Sequence, residues 1–70
     1  MTHRKIVGEN IRRLRKEKNW TQEKLAIRAG IDQGYLGTLE RGTVNVSLDT
    51  LQKIGKAMKI NFAEIVKGLE

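Results

Sequence analysis

The chain has 70 residues, no Cys, no Pro, one His and a net charge of +6. That length admits one small domain, and the missing thiols exclude disulfide staples and thiolate metal sites. With His3 alone at the terminus, no catalytic group, metal site, cofactor or small-molecule ligand is expected; with no apolar run near the ~20 residues of a membrane span and no signal-peptide stretch in MTHRKIVGEN, neither is a membrane partner, and the reading is cytoplasmic.

The first predicted helix, residues 4–18, sets Val7, Ile11 and Leu14 at helical spacing. Residues 1–18 also hold seven Lys and Arg against two Glu. Such a basic end suits an anionic partner or a merely solvated helix face, and charge by itself does not separate the two. The second helix, 22–29, opens at Thr21, carries Leu25, Ala26 and Ala29 inward, and ends at Gly30. The third, 33–41, opens at Asp32, buries Leu36 and Leu39, and ends at Gly42. The fourth, 48–58, follows Ser47 with Leu48, Leu51, Ile54 and Met58. The fifth, 62–69, follows Asn61 with Phe62, Ile65, Val66 and Leu69.

Four of these starts share one local grammar. Thr21, Asp32, Ser47 and Asn61 are all good N-cap residues. Each lies between an apolar pair at staple spacing: Trp20 with Leu25, Ile31 with Leu36, Val46 with Leu51, Ile60 with Ile65. Asn61 and Glu64 also fit a relaxed capping box, and Gly30 and Gly42 stand where left-handed C-terminal residues belong. The expected fold is all-α: a compact five-helix bundle, one domain over residues 1–70, with a helix-turn-helix at about 22–41.

Only Gly30, Ile31 and Asp32 join the second and third helices, which is the link of a helix-turn-helix. Ala26 is small where these helices would cross closely. The segment TQEKLAIRAGIDQGYLGTLERG resembles the helix-turn-helix of the lambda-repressor/Cro-type DNA-binding family. The resemblance continues through IRRLRKEKNW before it and SLDTLQKIGKAM after it, covering about residues 6–65. Its most specific parts are Thr21-Gln22, Leu25-Ala26, Ala29-Gly30 and Glu40-Arg41-Gly42. Within the family the chain is similar to small controller proteins of restriction–modification systems, which share ERG followed by Asn and an SL helix start.

The resemblance implies a role for several residues. Gln22 matches the family glutamine that bonds a DNA phosphate and braces the recognition helix. Arg15 and Glu40 match a structural salt bridge between the first and third helices. The third helix matches the element that lies in the major groove. Asn45 is placed like family loop residues that contact the DNA backbone.

Which face of the third helix would meet DNA follows from the helical angle of 100° per residue. With Gln33 at 0°, Tyr35, Leu36 and Leu39 centre on roughly 250° and define the inner side. Gly37, Arg41 and Gly34 then fall in the middle of the outer side, flanked by Gln33 and Thr38. The expected base contacts are Gln33, Gly34, Gly37, Thr38 and Arg41; the expected phosphate contacts are Gln22, Tyr35 and Asn45. The family usually has Ser or a larger polar residue where this chain has glycine. Two glycines there form a bare strip for close backbone approach, or they are neutral drift on an exposed surface.

The expected function is a transcriptional regulator binding double-stranded DNA as a homodimer, with Val66 and Leu69 at the dimer interface. Alternatives of other kinds are an antitoxin-like protein-interaction module and a basic RNA-binding bundle. An antitoxin usually needs a separate neutralising segment, which 70 residues are not expected to accommodate. The stripe on the fifth helix could also simply close the monomer's own core.

Overall fold

The computed structural model describes residues 2–69, and all regular structure among them is helical. The helices are α1 (His3–Glu17), α2 (Gln22–Ala29), α3 (Gln33–Arg41), α4 (Leu48–Met58) and α5 (Phe62–Ile65). Three of the expected caps form as hydroxyl or carboxylate acceptors: Thr21 takes the Lys24 N–H, Asp32 that of Tyr35, and Ser47 that of Thr50. Thr2 does the same for Lys5, so α1 begins one residue earlier than expected. Asn61 makes no side-chain cap bond, and the capping box at α5 does not form.

The staple residues then do what their spacing requires. Leu25, Leu36 and Ile65 are 0% exposed and Leu51 is 6% exposed. Trp20, Ile31, Val46 and Ile60 pack half-buried against the same core. That core is completed by Ile11, Ile54 and Met58 from α1 and α4. Caps and staples thus act together: one fixes where each helix starts, the other fixes the angle at which it enters the core.

The four longer helices also end alike. The N–H groups of Trp20, Ile31, Thr43 and Ile60 each reach back five residues, to the carbonyls of Arg15, Ala26, Thr38 and Gly55. This is the Schellman geometry, which needs a left-handed residue just past each helix. Gly30 and Gly42 supply it at φ 71° and 74°. Asn19 and Lys59 supply it at φ 59° and 56° without the conformational freedom of glycine, and so escape a search for glycine alone.

The C-terminal segment differs from the expected helix over 62–69. Helical structure stops at Ile65, and the segment beyond it is held from outside. The Asn10 side-chain amide of α1 donates to the carbonyls of Ile65 and Lys67, both at 2.8 Å, and Gly68 turns the chain at φ 98°. The apolar stripe expected on the fifth helix divides. Phe62 is 40% exposed. Val66 and Leu69, expected at a chain-end patch, pack half-buried against the chain's own core.

One contact positions everything near α3. Gly8 of α1 faces the end of α3 so closely that a Cβ there would overlap the Leu39 carbonyl oxygen and lie 2.7 Å from that of Glu40. Three residues earlier, the Lys5 backbone packs on Gly42, where a Cβ would come within 2.7 Å of the Lys5 Cα. The C-terminal end of α3 is therefore seated directly on the α1 backbone. Nothing in the helical periodicity of α1 marks Gly8 for this role.

Candidate nucleic-acid interface

α2 and α3 are joined through Gly30, whose left-handed backbone lets Ile31 fold back onto the core and leaves Asp32 to cap α3. Leu36 and Leu39 anchor the inner side of α3. On the outer side Gln33, Gly34 and Arg41 are exposed and Thr38 is half-buried; Tyr35, toward the inner side, is also half-buried. The Tyr35 ring packs against the core. The Thr38 hydroxyl donates to the Tyr35 carbonyl at 2.6 Å, so its proton is spent within the helix and its methyl and lone pairs remain. Thr43 bonds the Thr38 carbonyl in turn and tightens the end of α3.

Gly37 does not belong to a bare strip. It is buried, and a Cβ added there would sit 3.5 Å from the Arg41 guanidinium and 3.8 Å from the Gln22 amide oxygen. Helical angle alone placed it outward; the side chain of another helix, together with Arg41 folded back along its own, covers it. Gly34 is the glycine that remains open, and there a Cβ would press to 3.0 Å from the capping carboxylate of Asp32.

Behind this surface lies a buried ionic network. Arg15 grips Glu40 through two parallel hydrogen bonds, Nε to Oε2 at 2.7 Å and Nη2 to Oε1 at 2.9 Å. Its remaining Nη1 donates to the Trp20 carbonyl at 2.8 Å. Gln22 adds a third donor to the carboxylate, Nε2 to Oε1 at 3.1 Å. Both charged side chains are more than nine-tenths buried, which is tolerable because planar guanidinium and carboxylate match and every polar atom is bonded.

The network has a chemical consequence for Gln22. A carboxylate only accepts, so the amide nitrogen must face Glu40. That orientation leaves its second N–H hydrogen for an external acceptor. The Gln22 backbone N–H, at the first position of α2, is a donor of the same kind. Arg12 and Arg41 flank this point around a shallow hollow of about 280 Å³ lined also by Arg15, Gln22, Gly37 and Glu40. Neither Arg12 nor Arg41 is ion-paired among the described residues. The hollow is thus a donor-rich, cationic notch suited to an anionic oxygen.

Arg12 was legible only as one charge in a basic run; its place beside Gln22 needs the crossing of α1 on α3. Asn45 lies elsewhere, exposed in the α3–α4 loop beside a depression that it shares with Thr2, His3, Arg4, Lys5 and Gly42. Gln33, Gly34 and Arg41 share the exposed side of α3, whereas Val66 and Leu69 stand apart on the C-terminal segment.

Comparison with known proteins agrees with this architecture. Residues 11–65 match the helix-turn-helix family. An uncharacterized HTH-type transcriptional regulator, y4dJ of Sinorhizobium fredii, is 44% identical over 66 residues, covering 94% of this chain and 86% of that protein. Control protein C.BamHI of Bacillus amyloliquefaciens is 43% identical over 58 residues, covering 81% of this chain and 72% of that protein. Among solved structures, the restriction-modification controller protein C.AhdI from Aeromonas hydrophila superimposes with a TM-score of 0.86 at 39% identity, over 89% of this chain and 94% of that one. No helix among the described residues is long and apolar enough to cross a membrane. The chain belongs to the helix-turn-helix family of the lambda-repressor/Cro type and is a transcriptional regulator.

Proposed function

We propose that this regulator acts in the cytoplasm, binds a specific double-stranded operator with α3 in the major groove, and controls a restriction–modification system, as its likeness to controller proteins of such systems suggests. The observation that carries the reading is the Arg15–Glu40–Gln22 network, which holds one amide donor between Arg12 and Arg41 beside the exposed side of α3. Gln22, Arg12 and the start of α2 take a phosphate, and this fixes the register of α3 without reading sequence. Gln33 is free to bond an adenine bidentately, the Thr38 methyl suits a thymine, and Arg41 reaches a guanine or the backbone. Gly34 allows the α3 backbone close approach, while Gly37 serves as the floor on which Gln22 and Arg41 rest. Tyr35 and Asn45 add phosphate contacts, the latter beside Arg4 and Lys5.

Replacing Gln33 by Ala should relax base preference at one position of each half-site, at a cost of ~1–3 kcal/mol there. Gln22→Ala should instead weaken all duplexes by a common factor. Selection from a random duplex pool, followed by binding titrations, distinguishes the two. An equal loss on specific and random duplexes for Gln33→Ala would show that the wrong face has been assigned.

The dimer in this proposal uses the groove between α4 and α5 rather than Val66 and Leu69. Leu48 is 62% exposed and Phe62 is 40% exposed, leaving two large apolar side chains open to solvent. Phe62 lines a groove of about 750 Å³ together with Asp49, Gln52, Lys53, Gly55 and Lys56, and Leu48 precedes Asp49 at the start of α4. Asp49 lies in the first turn of α4 and Lys56 in its last, so two α4 helices crossing antiparallel would set acid against base twice. An isologous contact requires such self-complementarity. Phe62→Glu and Leu48→Glu should each give a folded monomer with much weaker operator binding, the two inverted half-sites lying about 34 Å apart. Sedimentation of a wild-type monomer at tens of micromolar, still selective for a palindrome, would refute this arrangement.

A further inference from the structure

The turn between α1 and α2 holds a second cationic feature, separate from the Gln22 notch. Trp20, the only Trp in the chain, is approached by three cations: the ammonium of Lys18 at 5.9 Å from its ring centroid, that of Lys24 at 5.1 Å, and the guanidinium of Arg28 at 5.5 Å. Each distance lies within cation–π range. Three like charges around one indole also repel one another, and none of the three is ion-paired with a carboxylate among the described residues. The ring attracts them singly; together they leave a concentrated positive field facing solvent, where all three residues are exposed. An anion would relieve that repulsion.

The position of the ring is not loose. Its backbone is clamped at both ends to Arg15, whose carbonyl accepts the Trp20 N–H and whose Nη1 donates to the Trp20 carbonyl. Arg15 is in turn locked to Glu40 of α3. The cationic cluster is therefore rigidly referenced to the recognition helix through two residues. Lys24 and Arg28 lie one turn apart along the outer flank of α2, the helix that crosses the DNA backbone in a helix-turn-helix complex.

We propose that Trp20 is a platform that gathers Lys18, Lys24 and Arg28 into a second phosphate-binding patch, which engages the sugar–phosphate strand flanking the half-site read by α3. This rests on the reading of the chain as a duplex-DNA binder. In the free protein the cations are held over the indole; on DNA they pass to phosphate oxygens, which exchanges a weak attraction for charge-assisted hydrogen bonds. The patch adds affinity without adding base preference, because phosphates carry no sequence information.

The test compares the wild-type protein with a Lys18→Gln/Lys24→Gln/Arg28→Gln variant, which keeps Trp20 and every buried residue, and with Lys24→Gln alone. Operator affinity is measured against salt concentration, and each lost phosphate contact should make the slope of log K on log salt shallower by about 0.9. The expected results are a slope shallower by between one and three such steps for the triple variant, an unchanged order of preference among duplexes, and a wild-type indole emission change on operator binding that the triple variant loses. An unchanged slope with selective wild-type binding overturns the patch and leaves the DNA-binding reading standing. Wild-type protein that binds no duplex overturns both. Emission that responds to polyglutamate but not to duplex assigns the patch to an acidic protein partner and likewise overturns the proposal.

Discussion

Glu40→Ala should destabilise the fold by about 3–5 kcal/mol, the range for removing one partner of a buried ion pair. Arg15 would remain, 9% exposed, with its Nε and Nη2 donors facing an emptied site. Gln22 would lose the acceptor that orients it, so operator affinity should fall beyond what the lost stability explains. Urea denaturation reads the first effect, and duplex titration under conditions where the variant is folded reads the second. A double change, Arg15→Met with Glu40→Leu, should recover much of the stability, since a well-packed apolar pair of similar volume often matches a buried ion pair. It should not recover DNA affinity, because Gln22 still lacks its brace. Stability and binding parting in this way would separate the structural role of the pair from its positioning role. A Glu40→Ala variant as stable as wild type would mean that Arg15 has escaped to solvent and that the network does not hold α1 to α3.

Gly8→Ala is the smallest change with a comparably large expected effect. On an isolated helix it would help, since alanine is favoured over glycine by roughly 0.5–1 kcal/mol in helix interiors. Here the added methyl meets two backbone carbonyls of α3, those of Leu39 and Glu40, and neither can rotate away as a side-chain tip could. α1 and α3 must move apart, at a cost expected at or above the upper end of the ~1–3 kcal/mol typical of overpacking. The displacement would also stretch the Arg15–Glu40 pair, which spans the same two helices. Thermal unfolding should show a clear loss, and chemical-shift changes should concentrate on the contact of α1 with the end of α3. A stabilised Gly8→Ala variant would place the two backbones farther apart than described here.

These two sites mark the boundary between what could be read from the chain and what could not. The starts of α2, α3 and α4 were legible because their causes are local. A cap residue bonds an N–H three positions on, and a staple joins residues five apart in sequence, so a short window contains the whole interaction. The inner side of α3 was legible for the same reason: Leu36 and Leu39 follow helical angle, and angle is a property of the segment itself. The all-α bundle and its helix-turn-helix followed from four such signals in succession. Features that join distant residues were hidden. The C-terminal segment is held by Asn10, more than fifty positions earlier, which bonds the carbonyls of Ile65 and Lys67. The covering of Gly37 depends on Gln22 arriving from another helix, and the exposure of Phe62 on how the C-terminal segment folds back across α1. At Gly8 two backbones touch, a contact that nothing in the periodicity of α1 announces. Hydrogen bonds and hydrophobic faces within one helix are set by its own periodicity, so sequence determined α1 to α4 and the face that each one buries. Which side chain from elsewhere lies against a given surface depends on the crossing of whole helices, and only the tertiary structure decides that.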